Sequence, residues 1–220
     1  MRPDAMRAGR DGSPLSRFFL KAAACLVLCT GAWWFVADAL ARPAALLAQI
    51  VLETVCTDWV RYAVIKPDYF GVETKLLVDA SQIPGAGAAP PGAVAELVLE
   101  ARPSRYGYSL PLFLALLLAG SRRRFVRNAL VGAACLVPFQ SFSMFMDLLR
   151  QAALAAGPKV SAQMGLAQWQ LEAIGFGYQL GVLLIPPLLP VLLWGMLDQA
   201  FVRPLLAGAA RSRATAPAEA

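Results

Sequence analysis

A chain of 220 residues that is 58% hydrophobic and only 15% charged is not an ordinary soluble domain, because such domains carry about a quarter charged residues. The net charge of +6 comes largely from arginines set in short groups beside apolar runs, which favours the positive-inside signature of a membrane protein over a nucleic-acid patch. The chain has no histidine, so a Ser-His-Asp or Cys-His arrangement within it is excluded.

Residues 1–16 are polar and carry Pro, Gly and several arginines, the composition expected of a disordered cytoplasmic tail. An apolar run from Phe18 to Ala37 has about the 20 residues a spanning helix needs. It predicts a first span over 17–40, with Arg17 and Lys21 at the inner end and Trp33, Trp34 and Phe35 at the outer interface. Its length, and the spans that follow, favour an uncleaved helix over a signal peptide. Residues 41–105 form the expected extracytoplasmic segment. There Arg42-Pro43 opens a second helix to about Val64, since proline suits a first helical position. Gln49, Glu53, Thr57 and Arg61 recur every four residues and form one polar stripe opposite an apolar one. Such an amphipathic helix lies on the membrane surface or packs on the rest of the protein; both readings stand. Glu53 and Arg61 on the stripe are the candidate partner contacts.

From Gly71 the pattern changes. Val72–Asp79 is rich in β-branched residues, and Ala95–Glu100 alternates with period two. A loop composition over 83–92 joins them, so a small β-hairpin is expected, leaning on the amphipathic helix or the membrane. A second, short span is predicted over 106–120, entered by Tyr106 and Tyr108 and stopped by Arg122, Arg123, Arg124 and Arg127. A third, over 125–149, carries Pro138 and follows so closely that the two make an antiparallel helical hairpin. The last, over 169–201, contains Pro186, Pro187 and Pro190, which predict a kink or a break. Residues 204–220 read as a cytoplasmic tail. The fold class is thus mainly α and integral to the membrane, with about four spans, an amphipathic helix and an outer hairpin. Segments 1–21, 121–128 and 196–220 hold 12 of the 20 lysines and arginines, which places both termini in the cytoplasm.

Chemistry-bearing residues are sparse. Asp38, Asp147 and Glu172 lie near span ends and read as solvated carboxylates. Within the spans, Gln140, Ser141, Ser143, Tyr178 and Gln179 are the polar groups, of the kind that hydrogen-bond between helices. Gly177 and Gly181 have the spacing that lets helices approach closely, so Gly177, Gly181, Gln140 and Gln179 are the candidate helix-packing residues. Cys25 and Cys29 share a helix face, but no further ligands cluster beside them. No catalytic, cofactor-binding or metal-binding residue is assigned.

Two segments carry a family resemblance: Arg102-Pro103-Ser104-Arg105-Tyr106-Gly107-Tyr108-Ser109-Leu110-Pro111, continuing apolar to Leu116, and Trp169-Gln170-Leu171-Glu172-Ala173-Ile174-Gly175-Phe176-Gly177-Tyr178-Gln179-Leu180-Gly181. With the N-terminal span and the small hairpin, they make the chain resemble the exosortase H-associated membrane proteins of Gram-negative bacteria. The resemblance implies residence in the bacterial inner membrane. It also implies a partner besides the lipid bilayer: an exosortase, a multi-pass transpeptidase-like enzyme that processes C-terminal sorting signals, or its substrates. Exosortases use Cys, Arg and His. A chain without histidine looks like the non-catalytic companion, needing no cofactor and binding no nucleic acid. Two other readings are a small transporter or channel subunit, from the proline-broken last span, and a membrane enzyme using Asp147 and Glu172.

Overall fold

A computed structural model describes residues 14–67, 69–80, 90, 92–120, 124–204 and 207. Most of the two expected tails and of the 83–92 loop lie outside the described residues.

The first element corrects an expected boundary. One helix, α1, runs without interruption from Pro14 to Val55, so Arg42-Pro43 does not open a second helix. A proline inside a helix forfeits one backbone hydrogen bond and crowds the preceding turn. Here Ala37, Ala41, Ala44, Ala45, Ala48 and Leu52 form a buried stripe that continues past the exposed Pro43, none of them more than 7% exposed. Small side chains at helical spacing allow close packing on that face, and the packing carries the helix through the proline.

The helix stops at Val55, and a turn closed by the Val60 N–H donating to the Cys56 carbonyl at 2.8 Å leads into a strand. That strand, β1 (Val60–Ile65), was not expected, and it moves Arg61 off the helical stripe and into the sheet. With β2 (Phe70–Asp79) and β3 (Val94–Ala101) it forms a three-stranded antiparallel sheet in the order β1-β2-β3, in place of the expected two-stranded hairpin. In β2, Phe70, Val72, Thr74, Leu76 and Val78 point inward, while Lys75 and Leu77 are exposed on the other face. Leu99 and Ala101 of β3 join the inner face. Fully burying a side chain such as Phe70 stabilises by about 2 kcal/mol. Buried Thr74 meets the polar requirement by donating to the Leu97 carbonyl at 2.7 Å. The sheet core also contains Ala45, Ala48 and Leu52 of α1, so the sheet leans on the C-terminal part of that helix.

After a 3-10 turn (Pro103–Tyr106) come α2 (Ser109–Ala119) and α3 (Phe125–Arg150), the latter continuing into a π-helical turn (Gln151–Ala155). Gly157, at φ 91° and ψ 168°, turns the chain into α4 (Pro158–Gln163) through a conformation open essentially to glycine alone. Helix α5 (Gln168–Tyr178), a π turn (Gln179–Leu184) and α6 (Ile185–Leu197) follow as one continuous run. The π turn immediately precedes Pro186-Pro187. Its wider i-to-i+5 bonding loosens the ladder where the prolines remove donors, which is how the expected irregularity is realised.

Among the described residues, three runs are long and apolar enough to cross a membrane: Leu15–Val55, Phe125–Ala155 and Gln168–Leu197. Helix α2 is apolar but has 11 residues, and so reaches about 16 Å.

The chain divides into two compact units. One comprises the described residues of Met1–Trp34, Leu110–Ala133 and Pro190–Ala220. Its aromatic centre is Phe18, stacked on Trp194 at 5.3 Å and tilted against Phe201 at 5.5 Å. Asn128, buried, donates to the Leu197 carbonyl at 3.2 Å. The other unit, Phe35–Ser109 with Ala134–Leu189, contains the sheet and every candidate site residue.

Candidate functional site

The stripe residues do structural work at the sheet edge. Gln49 Nε2 donates to the Ala63 carbonyl at 2.9 Å, and the Ala63 N–H donates to Glu53 Oε1 at 3.0 Å. Together the two side chains satisfy a backbone donor and acceptor that an edge strand would otherwise leave open. Glu53 also accepts from Gln49 at 3.1 Å, so its carboxylate is already engaged. Arg61, reassigned to β1, forms a bidentate pair with Glu96 of β3 at 2.8 and 2.5 Å. This hydrogen bonding holds the guanidinium pKa above its ordinary value. The pair is about half exposed, so its contribution to stability is small, about 1 kcal/mol or less.

Register places Tyr62 opposite Glu73, and Glu73 opposite Val98, on the face away from the core. Tyr62, Leu77, Val94 and Val98 are 44%, 45%, 61% and 53% exposed, a set of large apolar side chains on a face that also carries Glu73 and Lys75. The Tyr62 phenol is hydrogen-bonded to Glu73, which pushes its pKa up. Next to this face, α4 bonds the part of β2 that lies beyond its pairing with β1. Gln163 brackets Leu77, accepting from its N–H at 2.9 Å and donating to its carbonyl at 2.8 Å. Lys159 adds an ion pair with Asp79 at 3.1 Å.

Asp147 is not a solvated helix end. Its Oδ2 accepts from the Tyr106 hydroxyl at 2.7 Å and from Gln151 at 3.1 Å, and its Oδ1 accepts from Arg150 Nε at 3.1 Å and Nη2 at 2.9 Å. The Arg150 guanidinium also lies over the Tyr178 ring at 4.5 Å. The buried Tyr106 hydroxyl is the donor in this contact. Glu172, by contrast, is exposed and accepts from Gln168 at 3.2 Å. The two carboxylates of the membrane-enzyme reading therefore have separate sets of partners. Sequence reasoning missed the network. The spacing of Asp147 and Arg150 was a signal for the ion pair, but Tyr106 comes from a turn 41 positions away.

The packing residues divide. Gly181 is buried, its carbonyl accepts from Ser143 Oγ at 2.5 Å, and a Cβ built on it would lie 3.1 Å from the Ser143 Cα. A Cβ on Gly177 would meet Met146 Sδ at 2.5 Å. Gln140, buried, donates to Ser109 at 3.4 Å. Gln179, expected at a packed face, is exposed.

A family model described as exosortase H-associated membrane protein matches residues 12–201. No curated protein and no solved structure matches the chain.

Proposed function

The chain belongs to the exosortase H-associated membrane protein family, and on that premise we propose that it is a non-catalytic accessory protein, serving an exosortase from the bacterial inner membrane. The sheet is its outer, partner-binding part, and both termini face the cytoplasm. The observation that carries this reading is the sheet's outward face, where Tyr62, Leu77, Val94 and Val98 stay exposed although the same strands bury a full core on their other side. Exposed apolar side chains grouped on one face mark protein contacts more often than chance exposure does. Glu53 and Arg61 serve this surface by holding it in place: one caps the β1 edge and the other ties β1 to β3. Asp147 supports the reading in a different way, because four hydrogen bonds to neighbouring side chains suit a structural carboxylate better than a reacting one.

The test is co-purification from a membrane containing the cognate exosortase, with maturation of a tagged sorting substrate followed in parallel. Val94→Asp with Val98→Asp should reduce exosortase recovery and slow maturation, while the protein stays in the membrane at its normal level. Asp147→Asn with Glu172→Gln should leave both unchanged. Loss of maturation in the carboxylate variant alone would replace the accessory reading with the membrane-enzyme one.

A further inference from the structure

A polar cavity of about 400 Å³ opens beside the Asp147 network. One wall is the end of β3 and the turn after it, with Glu100, Arg102 and Arg105. The other is the end of α3 and its π turn, with Asp147, Arg150 and Gln151. Three arginines and two carboxylates therefore line this space. Asp147 is saturated by Tyr106, Arg150 and Gln151, and Gln151 is further occupied by donating to the Glu100 carbonyl at 3.2 Å. Arg150 spends Nε and Nη2 on Asp147, which leaves Nη1. Arg102 and Arg105 are exposed and have no ion pair or side-chain hydrogen bond among the described residues. The backbone that carries them is set by local bonds. Pro103 opens the 3-10 turn, and the Arg105 N–H donates to the Arg102 carbonyl at 3.0 Å. The cavity thus presents the guanidinium groups of Arg102 and Arg105 with no acceptor among the described residues, and one remaining nitrogen of Arg150. A tetrahedral oxyanion suits such a set, since it offers several charged acceptors to donors arriving from two sides.

Depth points to the source of that anion. The uncharged helix α2 begins at Ser109, four residues after Arg105, and the Asp147–Arg150 turn lies near the end of the Phe125–Ala155 candidate span. Tyr106 donates to Asp147 and the Arg150 guanidinium lies over the Tyr178 ring, so two aromatic residues stand beside the cavity, as aromatic residues do where spans leave the hydrocarbon. Phosphates of lipid headgroups occupy that depth. We infer that this cavity binds the phosphate headgroup of an anionic membrane lipid, with Arg102 and Arg105 as the recognising residues and Arg150, oriented by Asp147, as the third donor. This site is distinct from the partner face and does not depend on the accessory role.

Full-length protein would be purified in mild detergent, exchanged into mixed vesicles of phosphatidylcholine and phosphatidylglycerol, re-extracted, and its retained lipids counted by native mass spectrometry. The parent should retain phosphatidylglycerol over phosphatidylcholine. Arg102→Gln with Arg105→Gln should reduce that preference on the order of tenfold, as expected for two basic groups at a membrane surface. Its melting temperature in phosphatidylcholine alone should stay at the parent value, since neither side chain supports the fold. Arg102→Lys with Arg105→Lys should keep most of the preference. Equal retention of the two lipids by the parent, or an unchanged preference in the glutamine variant, would overturn the inference. So would a loss in the lysine variant as complete as in the glutamine one. Inorganic phosphate that raises the parent melting temperature as much as phosphatidylglycerol does would assign the cavity to a soluble anion and defeat the lipid source. Displacement of the lipid by a glutamate-rich peptide at micromolar concentration would defeat it in favour of a peptide ligand.

Discussion

Asp147 accepts hydrogen bonds from three side chains, and this decides which substitutions it tolerates. Asparagine keeps an acceptor for the Tyr106 hydroxyl, so Asp147→Asn should melt close to the parent. Asp147→Leu leaves a buried phenol without a partner and Arg150 without its counter-charge, which should cost about 1–3 kcal/mol. Thermal denaturation of the two variants in the same detergent checks the difference; a leucine variant as stable as the asparagine one would show that the network is not supporting the fold. Cys56 offers a pH-dependent test. Burial, with a smaller contribution from Asp58, pushes its thiol up from 9.0 to about 11. A raised acid favours the folded state while it is neutral: its stabilisation is complete below the unfolded value and is lost as pH rises through the folded one. The parent should therefore lose stability between about pH 9 and 11 more steeply than Cys56→Ala, and parallel melting curves for the two would remove the thiol from the account. Neither property was legible in the sequence. Both depend on burial supplied by distant segments.

At the level of elements, the Gly-x-x-x-Gly spacing pointed to a close approach, but not to which glycine matters. Gly181 faces the backbone of Ser143, which cannot move aside without shifting α3, whereas Gly177 faces the flexible end of Met146. Gly181→Leu should therefore destabilise by about 1–3 kcal/mol through overpacking, and Gly177→Leu by less. Leu183, 61% exposed, should tolerate alanine. Reversible denaturation by sodium dodecyl sulfate in mixed micelles would rank the three; a ranking with Gly177 first would mean that Met146 is as fixed as the backbone. Element boundaries were less legible than element types. Val60–Ile65 was read as helix because Thr57 and Arg61 extend the four-residue spacing of Gln49 and Glu53. That spacing ends with the helix at Val55, and the chain then uses the β-branched run for a strand whose edge Gln49 and Glu53 cap. Pro43 misled in the opposite direction. A local preference for helix starts is outweighed by a buried alanine stripe that only the packed structure reveals.

For the whole molecule the open question is parity. Three long apolar runs alone would leave the two ends on opposite sides of a membrane, yet the arginines and lysines cluster at both ends and in the 121–128 connection. The two facts agree if α2 also crosses. Its 11 residues cover about half of a hydrocarbon core about 30 Å thick. In a crossing α2 the difference would fall on the Gly107-Tyr108 approach at one end and on Arg124 and Arg127 at the other, since long cationic side chains reach headgroups and bilayers thin locally. Breaking that parity would cost more: a non-crossing α2 would carry Arg124 and Arg127 to the outer side, against the strongest determinant of orientation. Fusions of alkaline phosphatase and green fluorescent protein after Ala93 and after Arg124 separate the cases. Phosphatase should be active only at Ala93 and fluorescence should appear only at Arg124. Phosphatase activity at both points would mean that α2 re-enters without crossing. The termini would then lie on opposite sides, and a three-span protein would replace the four-span one.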